Sequence, residues 1–194
     1  MFEESIPPRN IDLREIPTFW INLDRDTDRR QRMESMFVNL EMENTKRVAG
    51  YLASTVKEGC GKAQEKTLKK IKQYPTLVLE DDCIQTDHFV PIIDIPPDAD
   101  AIYLGCSHYN AKWQEFDDKW LRVTSMHGAH AILYITPEFH KACQDIIHKY
   151  VYELEDHIDI GYCSILKDFK IYTPIEPFFY QTSSESVTRT GLGR

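Results

Sequence analysis

The apolar run Leu77-Val78-Leu79 leads without a break into Glu80-Asp81-Asp82. A β-branched and leucine-rich run with no alternation is the pattern of a strand buried on both faces, and such strands belong to sheets covered by helices on either side. This strand would end at a charged edge. In an open α/β sheet, ligands bind outside the carboxyl ends of the strands, where these three acids would lie. Carboxylates so close repel one another, so either a proton or a cation must sit among them. A divalent cation with a preference for hard oxygen ligands, Mg²⁺ or Mn²⁺, is one answer, because Mg²⁺ is commonly held by one or two carboxylates together with substrate phosphates. The alternative is a solvated turn in which Asp81 or Asp82 caps a helix.

The flanking sequence repeats the strand and helix alternation that makes βαβ units. Thr18 to Leu23 reads as a first buried strand, ending in the charged stretch Asp24 to Arg30. Met33, Met36, Phe37 and Leu40 then recur at helical spacing, with Thr27 or Asp28 as N-cap. That strand, loop and helix start would favour a bound anion. Lys46 to Ala49 is a short strand closed by Gly50, and Lys57 to Gln73 is a helix stopped by Tyr74-Pro75. Further strands are expected at Asp100 to Gly105, Ala131 to Ile135, Phe169 to Tyr172 and Pro177 to Gln181, with an edge strand at Trp120 to Val123. Helices are expected from Pro137 to about Tyr150 and from Ile160 to Leu166. Phe89 to Asp98 is read as connective, and Cys106 to Lys119 as a binding loop or lid.

The 194 residues suffice for one domain. The expected division is an N-terminal arm at 1–17, the domain at 18–181 and a flexible Ser, Thr, Gly and Arg tail at 182–194. A formal net charge of -8 argues against broad nucleic-acid binding, though not against a local site for a phosphorylated ligand. The five cysteines show no C-x-x-C spacing and are expected as reduced thiols. No apolar run reaches the ~18 residues of a membrane span, and a cytoplasmic location is expected.

Taken in order, Ile21-Asn22-Leu23-Asp24-Arg25 with Asp28-Arg29-Arg30 and Met33, Arg47 with Ala49, Gly59-Cys60, and Leu77 to Asp82 resemble glycosyltransferase family 25. That family includes lipopolysaccharide-biosynthesis and collagen galactosyltransferases. Ile102 to Gly105, Gly128 with Ala131 to Ile135, Ile158-Asp159, and Gln181 with Ser184 continue the order, so the resemblance spans Phe19 to Ser186. It implies a single-domain GT-A fold, a Rossmann-like α/β/α sandwich around a mostly parallel sheet, with a UDP-sugar donor and Mn²⁺ or Mg²⁺. It implies Asp82 as the direct metal ligand and Glu80 near the ribose or a metal-bound water, with Asp81 beside them. The chain departs from the family where Ala63-Gln64 replaces a serine and histidine, and it is near the small end for such enzymes.

On that resemblance, Asn22, Asp24 and Arg25 would contact the base and ribose. Arg29, Arg30, Arg47 and Lys62 would reach the phosphates, for which guanidinium groups are well shaped. The bland alternatives are a self-capped loop for Asn22 and Asp24, and solvated helix faces for Arg29, Arg30 and Lys62, the arginines pairing with Asp26 or Glu34. Asp159, then Asp156, is the candidate general base, with N-capping the alternative for Asp156. His127 or His130 would contact metal or phosphate, or serve structurally. Trp113 and Tyr109 would stack on a sugar or pack, and Arg189 would fold over the diphosphate or remain a free end. The expected function is metal-dependent transfer of a hexose, with inversion, from a UDP-sugar to an acceptor hydroxyl on a glycan, lipopolysaccharide or glycoprotein. A non-catalytic nucleotide-sugar or glycan-binding module and a metal-dependent phosphoester hydrolase are the rivals.

Overall fold

The computed structural model describes residues 10–105 and 111–182. Its centre is a sheet of eight strands in the order β3-β2-β4-β10-β7-β11-β9-β8. The strands are β2 (Thr18–Asn22), β3 (Thr45–Ala49), β4 (Thr76–Glu80), β7 (Ala101–Tyr103), β8 (Lys112–Glu115), β9 (Trp120–Ser125), β10 (Ala131–Tyr134) and β11 (Ile171–Pro174). β2 pairs in parallel with both β3 and β4, and β7 with β11, whereas β10 and β9 run against their neighbours. Most strands therefore point one way, as the sequence implies for an α/β fold.

β4 shows why an unbroken apolar run is needed here. Its neighbours are β2 on one side and β10 on the other. Leu77 and Leu79 enter one hydrophobic cluster and Val78 the other, all at 1% exposure or less. The first cluster is closed by α1 (Thr27–Asn39), through Met33, Met36 and Phe37, and by two small antiparallel pairs. These pairs are β1 (Asn10–Asp12) with β6 (Ile92–Asp94), and β5 (Cys83–Gln85) with β12 (Phe179–Gln181). The second is closed by α2 (Val56–Leu68), α3 (Pro137–Ile147) and α4 (Ile158–Ile165), giving helices on both faces.

Several boundaries differ from expectation for local reasons. The N-cap of α1 is Asp26, with no side-chain hydrogen bond. α2 stops at Leu68, because the chain turns back through Lys70 N–H to the Thr67 carbonyl and Ile71 N–H to the Leu68 carbonyl. α3 does begin at Pro137, its Thr136 N-cap accepting from the Phe139 N–H, and it relaxes into a π-helical segment, His148–Glu153. The expected arm ends earlier than Pro17: Asn10–Asp12 is paired to the β6 strand, and Ile11 and Leu13 are buried in the core, so the folded part begins by residue 10. β9 is no edge strand, since β8 covers it. No helix among the described residues is long and apolar enough to cross a membrane.

Candidate active site

A cavity of about 480 Å³ opens at the carboxyl ends of β2 and β4, lined by the first turns of α1 and α2 and by the connection after β3. Ile21, Asn22, Arg25, Asp26 and Arg29 form one wall, Glu80, Asp81 and Asp82 the floor, and residues 50–56 with Gly59, Cys60 and Ala63 the other wall; Gln181 completes the lining. The approach of α2 to the preceding loop explains Gly59. A Cβ there would lie 2.8 Å from the Tyr51 carbonyl oxygen, inside contact distance.

The three acids have separate environments. Asp81 is buried and its charge is matched: it accepts from Asn22 Nδ2 at 2.7 Å and from Arg29 at 2.9 Å, while its backbone carbonyl accepts from Arg32 at 3.0 Å. Asp82 is buried as well. Gln181 Nε2 donates to its Oδ2 at 3.0 Å, and its Oδ1 is enclosed without a hydrogen-bond partner. Glu80 lies half-buried in the floor and accepts from Gln64 Nε2 at 3.0 Å. Burial, followed by the charge of Asp82, pushes Glu80 up to about 8, against the opposing Gln64 hydrogen bond. Burial likewise pushes Asp82 up to about 6, although Gln181 and Arg29 pull it back. Two carboxylates so placed resist double ionisation, and a bound cation would relieve the repulsion among the acids that helps to raise both. Cys60 is exposed at the cleft wall, yet desolvation by its surroundings and the charge of the same acids push its thiol up to about 12.

Asn22 has a structural task. Its amide donates to Asp81 and to the Asp26 carbonyl, and its oxygen accepts from Arg47 Nε at 2.9 Å. Both amide hydrogens are thus spent inside the protein, so Asn22, which also lines the cavity, is a strut that ties β2 to Asp81 and to β3. Arg47 and Asp24 form an ion pair at 2.5 Å and do not line the cavity. Arg25 does line it, with a side chain 67% exposed, and Arg29 stands between it and Asp81. Lys62 is turned away: it pairs with Glu58 at 2.6 Å and lines a second cavity. Arg30 pairs with Glu34 on the helix face.

Neither candidate base lines the cavity. Asp156 pairs with Lys57 at 3.4 Å and accepts from the His157 N–H, but it does not cap α4, whose N-cap is His157 and has no side-chain hydrogen bond. Asp159, in the first turn of α4, accepts from the Ile160 N–H; its charge is felt by Glu80 and Cys60. His130, just before β10, is 1% exposed; burial pushes it down to about 4, against the pull of the Phe179 backbone. Gly105 makes room for it, since a Cβ there would meet His130 Nε2 at 2.2 Å. Trp113 lies on β8, outside the cavity lining. Tyr109, Ser184 and Arg189 fall outside the described residues. Among the described residues Cys83 and Cys143 are buried free thiols.

Sequence reasoning missed Arg32, and it read Gln64 only as a departure from a family pattern, without its bond to Glu80. Their partners lie 49 and 16 residues away, and no local pattern announces the contacts. No group of three or more His, Cys, Asp or Glu suited to a metal occurs among the described residues. The orphaned Asp82 Oδ1 with the Glu80 carboxylate still fits an ion whose remaining ligands come from a substrate.

Fold and site together define an α/β protein with an acidic, arginine-flanked cleft at the carboxyl edge of its sheet. No family model matches the chain, and no curated protein matches it. Among solved structures, CTP:phosphocholine cytidylyltransferase from Streptococcus pneumoniae is similar, with 11% identity and a TM-score of 0.44 over 86% of this chain and 93% of that one. Apo UDP-glucose pyrophosphorylase is also similar, with 11% identity and a TM-score of 0.45 over 86% of this chain and 74% of that one.

Proposed function

We propose that this chain is a metal-dependent glycosyltransferase of the family 25 type, moving a hexose, galactose in the first instance, from a UDP-sugar to a glycan, lipopolysaccharide or glycoprotein hydroxyl with inversion. The observation that carries the reading is Asp82 Oδ1, enclosed without a partner beside Glu80 in a cleft of about 480 Å³. Asp82 and Glu80 would hold Mn²⁺ or Mg²⁺, with donor phosphates as the remaining ligands. When bound, the ion offsets the negative charge that grows on a departing diphosphate.

The chain's own groups prepare this. Gln181 and Gln64 orient the two carboxylates, and the Asn22 and Arg29 contacts hold Asp81 out of competition for the ion. The first turn of α1 has no side-chain cap, and with Arg25 and Arg29 it offers donors to an anion. Asp159 has no cationic partner among the described residues, and it would take the acceptor proton in preference to Asp156, which is committed to Lys57.

Thermal shift with a panel of nucleotide sugars provides the test, because a ligand that binds the folded state raises apparent stability by mass action. A UDP-sugar should raise the melting temperature only with Mn²⁺ present, and slow release of free UDP should vanish in Asp82→Ala. A panel with no response in the presence of metal sinks the reading. One observation favours a second reading, a nucleotide-sugar-binding module: the cleft lining holds no acid besides Asp26 and the Glu80 to Asp82 cluster. Metal-dependent binding with no turnover on any acceptor would support it.

A further inference from the structure

A second cavity of about 450 Å³ lies beside the first, lined by Lys62, Lys66, Lys69, Lys70, Tyr51 and Tyr152, together with one acid, Glu65. The two cavities share Tyr51, and α2 serves both. Gly59, Cys60 and Ala63 face the first, while Lys62, Lys66 and Lys69 follow at helical spacing along the neighbouring face. In a chain of net charge -8 this is a concentration of the opposite sign.

The cavity's own acid is spent. Glu65 accepts from Lys69 at 2.6 Å and from the Tyr152 hydroxyl at 2.7 Å. Lys62 pairs with Glu58, outside the cavity lining. Two cations have no carboxylate within ion-pair distance among the described residues: Lys70, and Lys66, which donates to the Ala49 carbonyl at 3.0 Å and lies over the Tyr51 ring at 5.1 Å from its centroid. Tyr51 and Tyr152 are each over 40% exposed, although Lys66 covers part of the Tyr51 ring, the His148 ring lies 5.5 Å from that of Tyr152, and the Tyr152 hydroxyl is held by Glu65. Exposed ring surface beside ammonium groups that have no carboxylate partner suits a sugar ring that carries an anionic substituent, and would not suit a neutral apolar ligand.

We infer that this groove binds the acceptor, and that the acceptor is a saccharide bearing a phosphate or carboxylate group, entering over α2 toward the cleft at Tyr51. The inference rests on the glycosyltransferase reading for the word acceptor, but the binding site stands on its own residues.

The test is a titration of the ¹⁵N-labelled full chain, followed by NMR, with glucose 6-phosphate, galacturonate, glucose, inorganic phosphate and vesicles of anionic phospholipid. A separate titration uses UDP with Mn²⁺. The expected result is that glucose 6-phosphate or galacturonate moves amides of residues 62–70 and 51, and glucose does not. The pair of substitutions Lys66→Glu and Lys70→Glu should weaken that response about tenfold or more, and Asp82→Ala should leave it intact while abolishing the UDP response. The phosphate and carboxylate sugars together tell which anion is preferred. No response from either sugar while UDP binds overturns this inference alone, and loss of the UDP response with the groove still responsive overturns only the donor reading. An equal response to inorganic phosphate overturns the saccharide part, and a response confined to vesicles replaces the acceptor with a membrane surface. Circular dichroism of the doubly substituted chain must match the parent, and Lys66→Gln with Lys70→Gln repeats the test without reversed charge.

Discussion

Asn22 sits at the meeting point of three chain segments, and its loss should be felt in stability before it is felt in binding. Asn22→Ala leaves the buried Asp81 Oδ2 without its amide donor and Arg47 Nε without its acceptor. Unsatisfied buried groups of this kind cost about 2 to 4 kcal/mol, to be read from urea unfolding midpoints. Asp24→Ala, at a side chain 79% exposed, should leave the midpoint where it was. Glu80 gives a pH signature. Folded, it keeps its proton up to about 8, against 4.5 as its ordinary value, so between these limits the unfolded chain binds fewer protons and stability falls as pH rises. His130, pushed down to about 4 from 6.5, acts in the opposite sense, but only below 6.5. The window from 6.5 to 8 therefore isolates the carboxylate. In chelator, the melting temperature should decline across it by an amount equivalent to roughly 1.5 kcal/mol, and Glu80→Gln should flatten the decline. An unchanged slope in that variant would remove Glu80 as its cause.

Among the elements, α2 carries the most constraint, since its first turn forms one wall of the cleft and packs against its own approach loop. Gly59→Ala would force apart a Cβ and the Tyr51 carbonyl oxygen that start 2.8 Å from each other. The nearer outcome is displacement of residues 51–55, which are exposed, rather than of the helix. The expected result is a loss of UDP-sugar affinity of about tenfold with circular dichroism unchanged, measured by the same thermal-shift titration. The elements themselves were legible to very different degrees. β2, β4 and the helix opened by Pro137 announce themselves, because continuous burial and a fixed φ leave local marks. The direction of β10 does not: a central strand flanked by two others is apolar throughout whichever way it runs, and Ala131 to Tyr134 carries no sign of being reversed. β1, at three residues, is too short for any period to show. At the site, Glu80 to Asp82 and Arg29 were readable as a charged edge. The division of labour among the acids was not, because it depends on Asn22, Gln64 and Gln181, each distant in the chain.

At the scale of the molecule, the sheet is closed on one face by α1 together with two small strand pairs, of which the β1 and β6 pair gives no residue to the cleft lining. Leu13 follows the strand that pairs with Ile92–Asp94, is fully buried and belongs to the same cluster as Trp20 and Leu79. Leu13→Ala should cost about 2 to 5 kcal/mol in equilibrium unfolding, whereas the Mn²⁺-dependent response to UDP, measured well below the melting temperature, should persist. A chain that tolerates this change without loss would show that the β1 and β6 pair is a detachable cover.

The cleft itself is built from unlike materials. Its floor ends a strand held by hydrogen bonds along both edges, and its outer wall, residues 51–55, is exposed and belongs to no helix or strand. Amide hydrogens of Leu77 to Leu79 should exchange only when the whole domain opens, and those of the wall with little hindrance. A rigid base plate with a pliant jaw separates two demands that usually conflict, because the groups that must not move are anchored apart from those that choose among ligands. Changes in the jaw can then retune which donor is accepted at little expense to the fold, which makes Tyr51 to Thr55 the stretch where altered specificity would arise first.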